Sequence, residues 1–240
     1  RLFFQPIVNL ATMKVTTFEA LLRWEHPTRG IVSPAEFISV AEETGLIVPL
    51  GEWAIREACK NAMLWPQDIR VAVNLSSMQF MRGNLVATIV NALASSGLAA
   101  DRFEIEITES ILLERTQQTT AILNQLRSLG VTVSMDDFGT GYSSLNYLRS
   151  FQFDKIKIDR TFIQELDEVG DNQAIVGAIT DLSHRFGLQT IAEGVETATQ
   201  LAYVRDKGCA EVQGRLFSMP IPPGDVLRMV ERINARRAAE

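Results

Sequence analysis

The chain has 240 residues, 46% of them hydrophobic and 22% charged, which suffices for one large core and is close to the ~250 residues of an α/β barrel. A net charge of −6 without a basic stripe argues against a nucleic-acid polymer as partner, although a small anionic ligand stays compatible where metal ions supply positive charge. No apolar run approaches the ~20 residues that span a bilayer.

The chain opens Arg1-Leu2-Phe3-Phe4-Gln5-Pro6, with neither a basic-then-apolar leader nor an initiator Met, which predicts a segment of a longer protein. Any membrane anchor or regulatory region would then lie elsewhere in that protein. Phe3–Val8 reads as a strand and Lys14–Trp24 as a second one. The turn between them is too short for a crossover helix, so these two are expected to be antiparallel. Ser33-Pro34-Ala35-Glu36 is a helix start, with Ser as cap and Pro at the first position, and the helix closes at Gly45. Gly51–Trp65 has helical periodicity and stops at Pro66. Cys59, within that helix, and Cys209 lack metal-type spacing and read as reduced core thiols, which predicts a cytoplasmic protein.

From Arg70 the chain alternates. Strands are predicted at Arg70–Leu75, Phe103–Thr108, Thr132–Asp136, Lys155–Asp159, Gln189–Ala192 and Glu211–Gln213. Helices are predicted at Leu85–Leu93, Gln117–Leu129, Ala174–Phe186, Ala198–Lys207 and Gly224–Arg236, several of them ended by Gly. Repeated βα units with no composition break predict one domain over residues 1–240: a modified (β/α)8 TIM barrel of the α/β class with an antiparallel first strand.

Two strands are unusual. Phe103-Glu104-Ile105-Glu106-Ile107-Thr108 alternates acid with Ile, and Lys155-Ile156-Lys157-Ile158-Asp159 alternates Lys with Ile. In a parallel barrel the outer face lies under helices, so the Ile side chains belong there and the charges point inward. Buried charges must pair or ligate a metal. Asn74, Glu106, Asp136, Asp137, Lys157, Glu193 and Gln213 gather at or near strand C-termini, joined by Glu19, and barrel active sites form at that mouth.

The stretch Val131–Leu145 runs into the adjacent acids Asp136 and Asp137, whose repulsion calls for a compensating cation. A donor set of carboxylates and an amide, without His or Cys, selects Mg2+ or Mn2+. So many acids suit two ions sharing an Asp, an arrangement fitted to phosphate diester hydrolysis. Lys157 beside them would either have a lowered pKa or act as a fixed cation. His26 and His184 read as structural or surface residues. The turn Gly139-Thr140-Gly141 lacks the features of a P-loop or dinucleotide fingerprint and reads instead as the hinge of a lid.

Phe18-Glu19-Ala20-Leu21-Leu22-Arg23-Trp24 resembles the signature of EAL domains, the bacterial cyclic di-GMP phosphodiesterases. The resemblance continues through Gln5-Pro6-Ile7, Val73-Asn74-Leu75-Ser76, Glu106-Ile107-Thr108-Glu109-Ser110, Asp136-Asp137-Phe138-Gly139-Thr140-Gly141, Lys157-Ile158-Asp159, Ala192-Glu193-Gly194-Val195-Glu196 and Gln213-Gly214. It implies Mg2+- or Mn2+-dependent hydrolysis of cyclic di-GMP to linear pGpG, with Ca2+ inhibitory. It implies one metal site from Glu19, Asn74, Glu106 and Asp136, and a second from Asp136, Asp137 and Glu193. Lys157 matches a lysine contacting the nucleophilic water, so Lys157, Glu193, Glu19 and Asp137 form the implied catalytic set. Arg23 matches a phosphate contact, and Gln213, Asp159 and Glu196 match positions around the substrate. Glu109 matches an anchor for the loop after the Asp pair, through which a homodimer is implied. Regulatory domains elsewhere in a full-length chain are implied too. One departure stands out: Arg215 follows Gln213-Gly214, where the family usually has an aromatic residue, and reads either as an altered substrate contact or as a solvated strand end. Two other readings stay open: a cyclic di-GMP-binding sensor with weak catalysis, and an enolase-like proton abstraction by a strand-end Lys.

Overall fold

The computed structural model of the chain describes residues 1–82, 84–114, 116–139, 151–164, 166 and 171–236. Among them, eight strands close into a barrel: β1 (Leu2–Asn9), β2 (Lys14–Leu22), β5 (Arg70–Leu75), β6 (Phe103–Thr108), β7 (Thr132–Phe138), β8 (Lys155–Ile158), β9 (Gln189–Ala192) and β10 (Glu211–Gln213). β1 is antiparallel to both its neighbours, β2 and β10, and the remaining pairs are parallel. The expected modified barrel is therefore the observed one. One reason lies in the short turn after Asn9, whose side-chain oxygen accepts from the backbone N–H of Ala11 and Thr12 and folds the chain straight back.

The second strand ends earlier than Trp24. Arg23 leaves the barrel, and β3 (Trp24–His26) pairs with β4 (Gly30–Val32) in a separate hairpin that the sequence did not announce. The helices are α1 (Pro34–Thr44), α2 (Ile47–Ala62), α3 (Ser77–Arg82), α4 (Leu85–Ser96), α5 (Glu109–Glu114), α6 (Thr116–Ser128), α7 (Arg160–Gln164), α8 (Asp171–Arg185), α9 (Ala198–Asp206) and α10 (Val226–Arg236). Ser33 takes the cap position of α1 without a side-chain cap bond, so Pro34 at the first position and Gly45 in the left-handed conformation delimit that helix. Among the described residues no helix is long and apolar enough to cross a membrane.

The core is the layer between strands and helices. Ile105, Ile107, Ile156 and Ile158 are fully buried there, the outward half of the alternation predicted for β6 and β8. Trp65, after α2, meets Phe4 edge-on at 5.0 Å and Phe18 at 5.2 Å, sealing the β1–β2 seam. Cys59 and Cys209 are buried free thiols, and burial pushes the Cys59 thiol up to about 12, so both stay neutral.

The inward half forms two charged floors. In the lower one, Lys155 lies 2.9 Å from Glu211 and 3.0 Å from Glu104, while Ser134 donates to Glu104 and Thr16 donates to Glu211 at 2.5 Å. The upper floor is the mouth of the barrel.

Candidate active site at the barrel mouth

Lys157 is the hub of the upper floor. Its buried ammonium sits 2.6 Å from Glu193, 2.8 Å from Glu106, 3.2 Å from Asp136 and 3.7 Å from Glu19. Burial pushes an ammonium pKa down, but here the surrounding carboxylates outweigh it and hold Lys157 well above its usual value. Of the two roles open to Lys157, the fixed cation is the one its surroundings support.

Glu19 is held from both sides: Asn74 donates to one oxygen at 2.6 Å and Gln213 to the other at 2.6 Å, with Gln5 3.3 Å further on. Burial would raise its pKa, yet the Lys157 charge and the two amide donors bring it below the usual carboxylate value. Glu106 goes the other way. Fully buried and crowded by Glu19, it is pushed well up despite Lys157, and its Oε1 accepts no hydrogen bond.

The Asp pair solves a geometric problem. Successive strand residues point to opposite faces, so two adjacent acids cannot both face a barrel mouth from a regular strand. The pairing of β7 with β8 slips between Met135 and Phe138, and Asp137 has φ 53°, the left-handed region. This irregularity turns Asp137 to the same side as Asp136. As a result, carboxylate oxygens of Asp136, Asp137 and Glu193 lie within 4.8 Å of one another. Burial and the neighbouring Asp136 and Asp159 raise Asp137 to about 6, and burial raises Glu193 to about 8. Three acids with two such pKa values, a buried oxygen on Glu106 lacking a donor, and oxygen-only ligands together fit a hard divalent cation.

A cavity of about 410 Å3 opens above these groups. Glu19, Asn74, Asp136, Lys157, Glu193 and Gln213 form its base, and Arg23, Glu196 and Arg215 line its wall. Glu106 lies beneath the base. Asp159 does not line the cavity: its carboxylate sits beside Asp137 and accepts from the Thr161 N–H at 2.9 Å, capping α7. Glu109 is buried at the start of α5, but the loop it was expected to anchor, 140–150, is outside the described residues, and so is the lid hinge at Thr140-Gly141.

Arg160 and Gln164 of α7 also line the cavity and were missed. Their signal was adjacency, since Arg160 directly follows the Lys157-Ile158-Asp159 strand end. The wall itself depends on two glycines. Gly194, at φ +70°, packs so closely that a Cβ would lie 2.6 Å from Arg160 Cβ, and a Cβ on Gly214 would lie 2.0 Å from the Val195 carbonyl. A larger groove of about 870 Å3 opens at the strand starts; in it Arg127 pairs with Asp154 at 3.0 Å, Lys155 pairs with the acids of the lower floor, and Arg70 donates to the Asp101 carbonyl at 3.1 Å.

Comparison with known proteins agrees with this geometry. The bifunctional diguanylate cyclase/cyclic di-GMP phosphodiesterase MucR of Pseudomonas aeruginosa is 43% identical over 233 residues, covering 95% of this chain and 34% of that protein. An uncharacterised protein of Sinorhizobium fredii, y4lL, is 51% identical over 99% of this chain and 29% of its own length. The chain thus spans about a third of the length of these relatives. A solved structure of the PaMucR phosphodiesterase in complex with c-di-GMP superimposes with a TM-score of 0.91 at 43% identity, covering 94% of this chain and 93% of that one. The model of the EAL domain matches residues 1–220, and the chain belongs to the EAL domain family.

Proposed function

We propose that this chain is a metal-dependent phosphodiesterase that hydrolyses cyclic di-GMP to linear pGpG. The observation that carries the reading is the convergence of Asp137 with Asp136 and Glu193, two of the four carboxylates around Lys157, in a chain 43% identical to a named cyclic di-GMP phosphodiesterase. Divalent cations, Mg2+ or Mn2+, supply the Lewis acidity that diester hydrolysis needs. Asp136, Asp137 and Glu193 would hold one, and Glu19, Asn74, Glu106 and Asp136 the other.

The remaining chemistry belongs to the side chains. Water adds to phosphorus, the P–O3′ bond breaks, and the proton balance leaves a 3′-hydroxyl and a 5′-phosphate. Lys157 presents a fixed positive charge at the cavity base, where it orients the water and offsets charge developing on the phosphoryl oxygens. Asn74 and Gln213 keep Glu19 ionised and aimed. Arg23 receives a phosphate oxygen, Glu196 shapes the surroundings of the substrate, and Asp159, outside the cavity lining, acts through its neighbour Asp137. We extend the reading to Glu109 as anchor of the loop after Asp137, to a homodimer built through that region, and to a place as one domain of a longer multidomain signalling protein, supported by the length of the relatives.

The test is product analysis after incubating the chain with cyclic di-GMP and Mg2+, Mn2+ or Ca2+ in turn. Linear pGpG with Mg2+ or Mn2+, and bound but uncleaved dinucleotide with Ca2+, is the expected pattern. Tight binding with no product in any metal would make the chain a sensor instead.

A further inference from the structure

Arg215 stands at the position where the resemblance calls for a ring, and its guanidinium lies 2.7 Å from Glu196. The backbones under this pair are locked together. Val195 N–H donates to the Gln213 carbonyl at 3.0 Å, Leu216 N–H donates to the Val195 carbonyl at 3.2 Å, and Gly214 lies too close to Val195 to accept a side chain. Glu196 is equally fixed, because it precedes the Thr197–Gln200 capping box of α9 and its own N–H donates to the Gln200 side chain at 2.8 Å.

The tip of Arg215 lies open to solvent. The side chain is 61% exposed, and among the described residues its one ion-pair partner is Glu196, itself 26% exposed. A pair this open is weak and yields to a better anion. On the same wall, Arg160 packs against Gly194 and makes no ion pair among the described residues. The cavity is thus acidic at its base, and two arginines line its wall: Arg160 at the start of α7, and Arg215 beside Glu196.

A cyclic dinucleotide carries two phosphodiesters. One would be cleaved at the acids; the other needs a cation away from them. We propose that Arg215 is a substrate-binding residue, which exchanges its contact with Glu196 for the second, uncleaved phosphate when cyclic di-GMP enters. The planar guanidinium can offer that phosphate two parallel N–H donors, which an aromatic ring cannot. This assignment rests on the functional reading above.

The experiment is calorimetric binding of cyclic di-GMP in Ca2+ at low and high salt, together with turnover in Mn2+. Arg215→Ala and Arg215→Phe are each expected to weaken binding about tenfold. Arg215→Lys should lose less, and Glu196→Gln, which frees the guanidinium, should tighten binding a few-fold. The salt dependence of the alanine variant should be shallower, and in turnover KM should rise while kcat stays within about twofold. A phenylalanine variant with unchanged affinity and salt dependence would overturn the assignment. So would an alanine variant that lowers kcat at constant KM. Absence of binding by the unmodified chain overturns the functional reading and the assignment with it, whereas tight binding indifferent to Arg215→Ala overturns the assignment alone.

Discussion

Asp137 and Asp136 are consecutive residues of β7 whose carboxylates face the same mouth, because the pairing with β8 slips there and Asp137 takes φ 53°. Asn tolerates the left-handed conformation as well as Asp does. Asp137→Asn should therefore fold normally and gain slightly in metal-free stability, by less than about 1 kcal/mol, because it removes a charge repelled by Asp136. The rise in Tm that Mn2+ produces in the unmodified chain should be lost or much reduced. Paired thermal melts with and without Mn2+ check both halves.

Lys157 is a structural cation before it is anything else. Its removal leaves Glu19, Glu106, Asp136 and Glu193 facing one another in a buried shell. Lys157→Met should lose about 3–5 kcal/mol in metal-free denaturant unfolding. Part of that loss should return on adding Mn2+, which replaces the missing charge. A variant as stable as the unmodified chain without metal would contradict the hub role.

Metal affinity should depend on pH between 6 and 8. Asp137 near 6 and Glu193 near 8 retain protons in the metal-free site, raised chiefly by burial. A cation must displace those protons, so its apparent affinity should climb across that window, at most about tenfold per pH unit for each proton released. The stability of the metal-free chain has the opposite sign. A folded carboxylate pKa above the unfolded value means that the folded state binds more protons, so this contribution falls as pH rises from about 4.5 through 8. Calorimetry in buffers of different ionisation enthalpy measures the released protons directly; pH-independent affinity would refute the proton linkage.

Gly214 is the point where the cavity wall is closest packed. Gly214→Ala puts a methyl into the Val195 carbonyl, 2.0 Å away in the undisturbed backbone, with no flexible group to yield. The expected cost is about 3 kcal/mol or more, together with loss of the register between Glu196 and Arg215. Denaturant titration gives the first and cyclic di-GMP affinity the second.

Much of this was legible in the sequence for a physical reason. The alternation of Ile with charge in β6 and β8 has a single consistent placement in a helix-covered barrel, and Glu104, Glu106, Lys155 and Lys157 are indeed buried inside. The strand-end acids followed from the same logic. The β3–β4 hairpin stayed hidden because its three-residue strands carry too little pattern. The slip at Asp136-Asp137 was hidden because a non-glycine residue at positive φ has no composition signal. Arg160 was legible only by its adjacency to the Lys157-Ile158-Asp159 strand end, whereas the lock between Gly214 and Val195 comes from packing across separate segments, which spacing along the chain does not encode.

The most direct measurement is cyclic di-GMP turnover at saturating Mn2+ by the unmodified chain and by Asp136→Asn, with a metal-free thermal melt as the control for folding. The account predicts pGpG from the unmodified chain and a loss of at least about a thousandfold in kcat for the variant, which lacks the carboxylate assigned to both ions. Turnover by Asp136→Asn at the unmodified rate would contradict it.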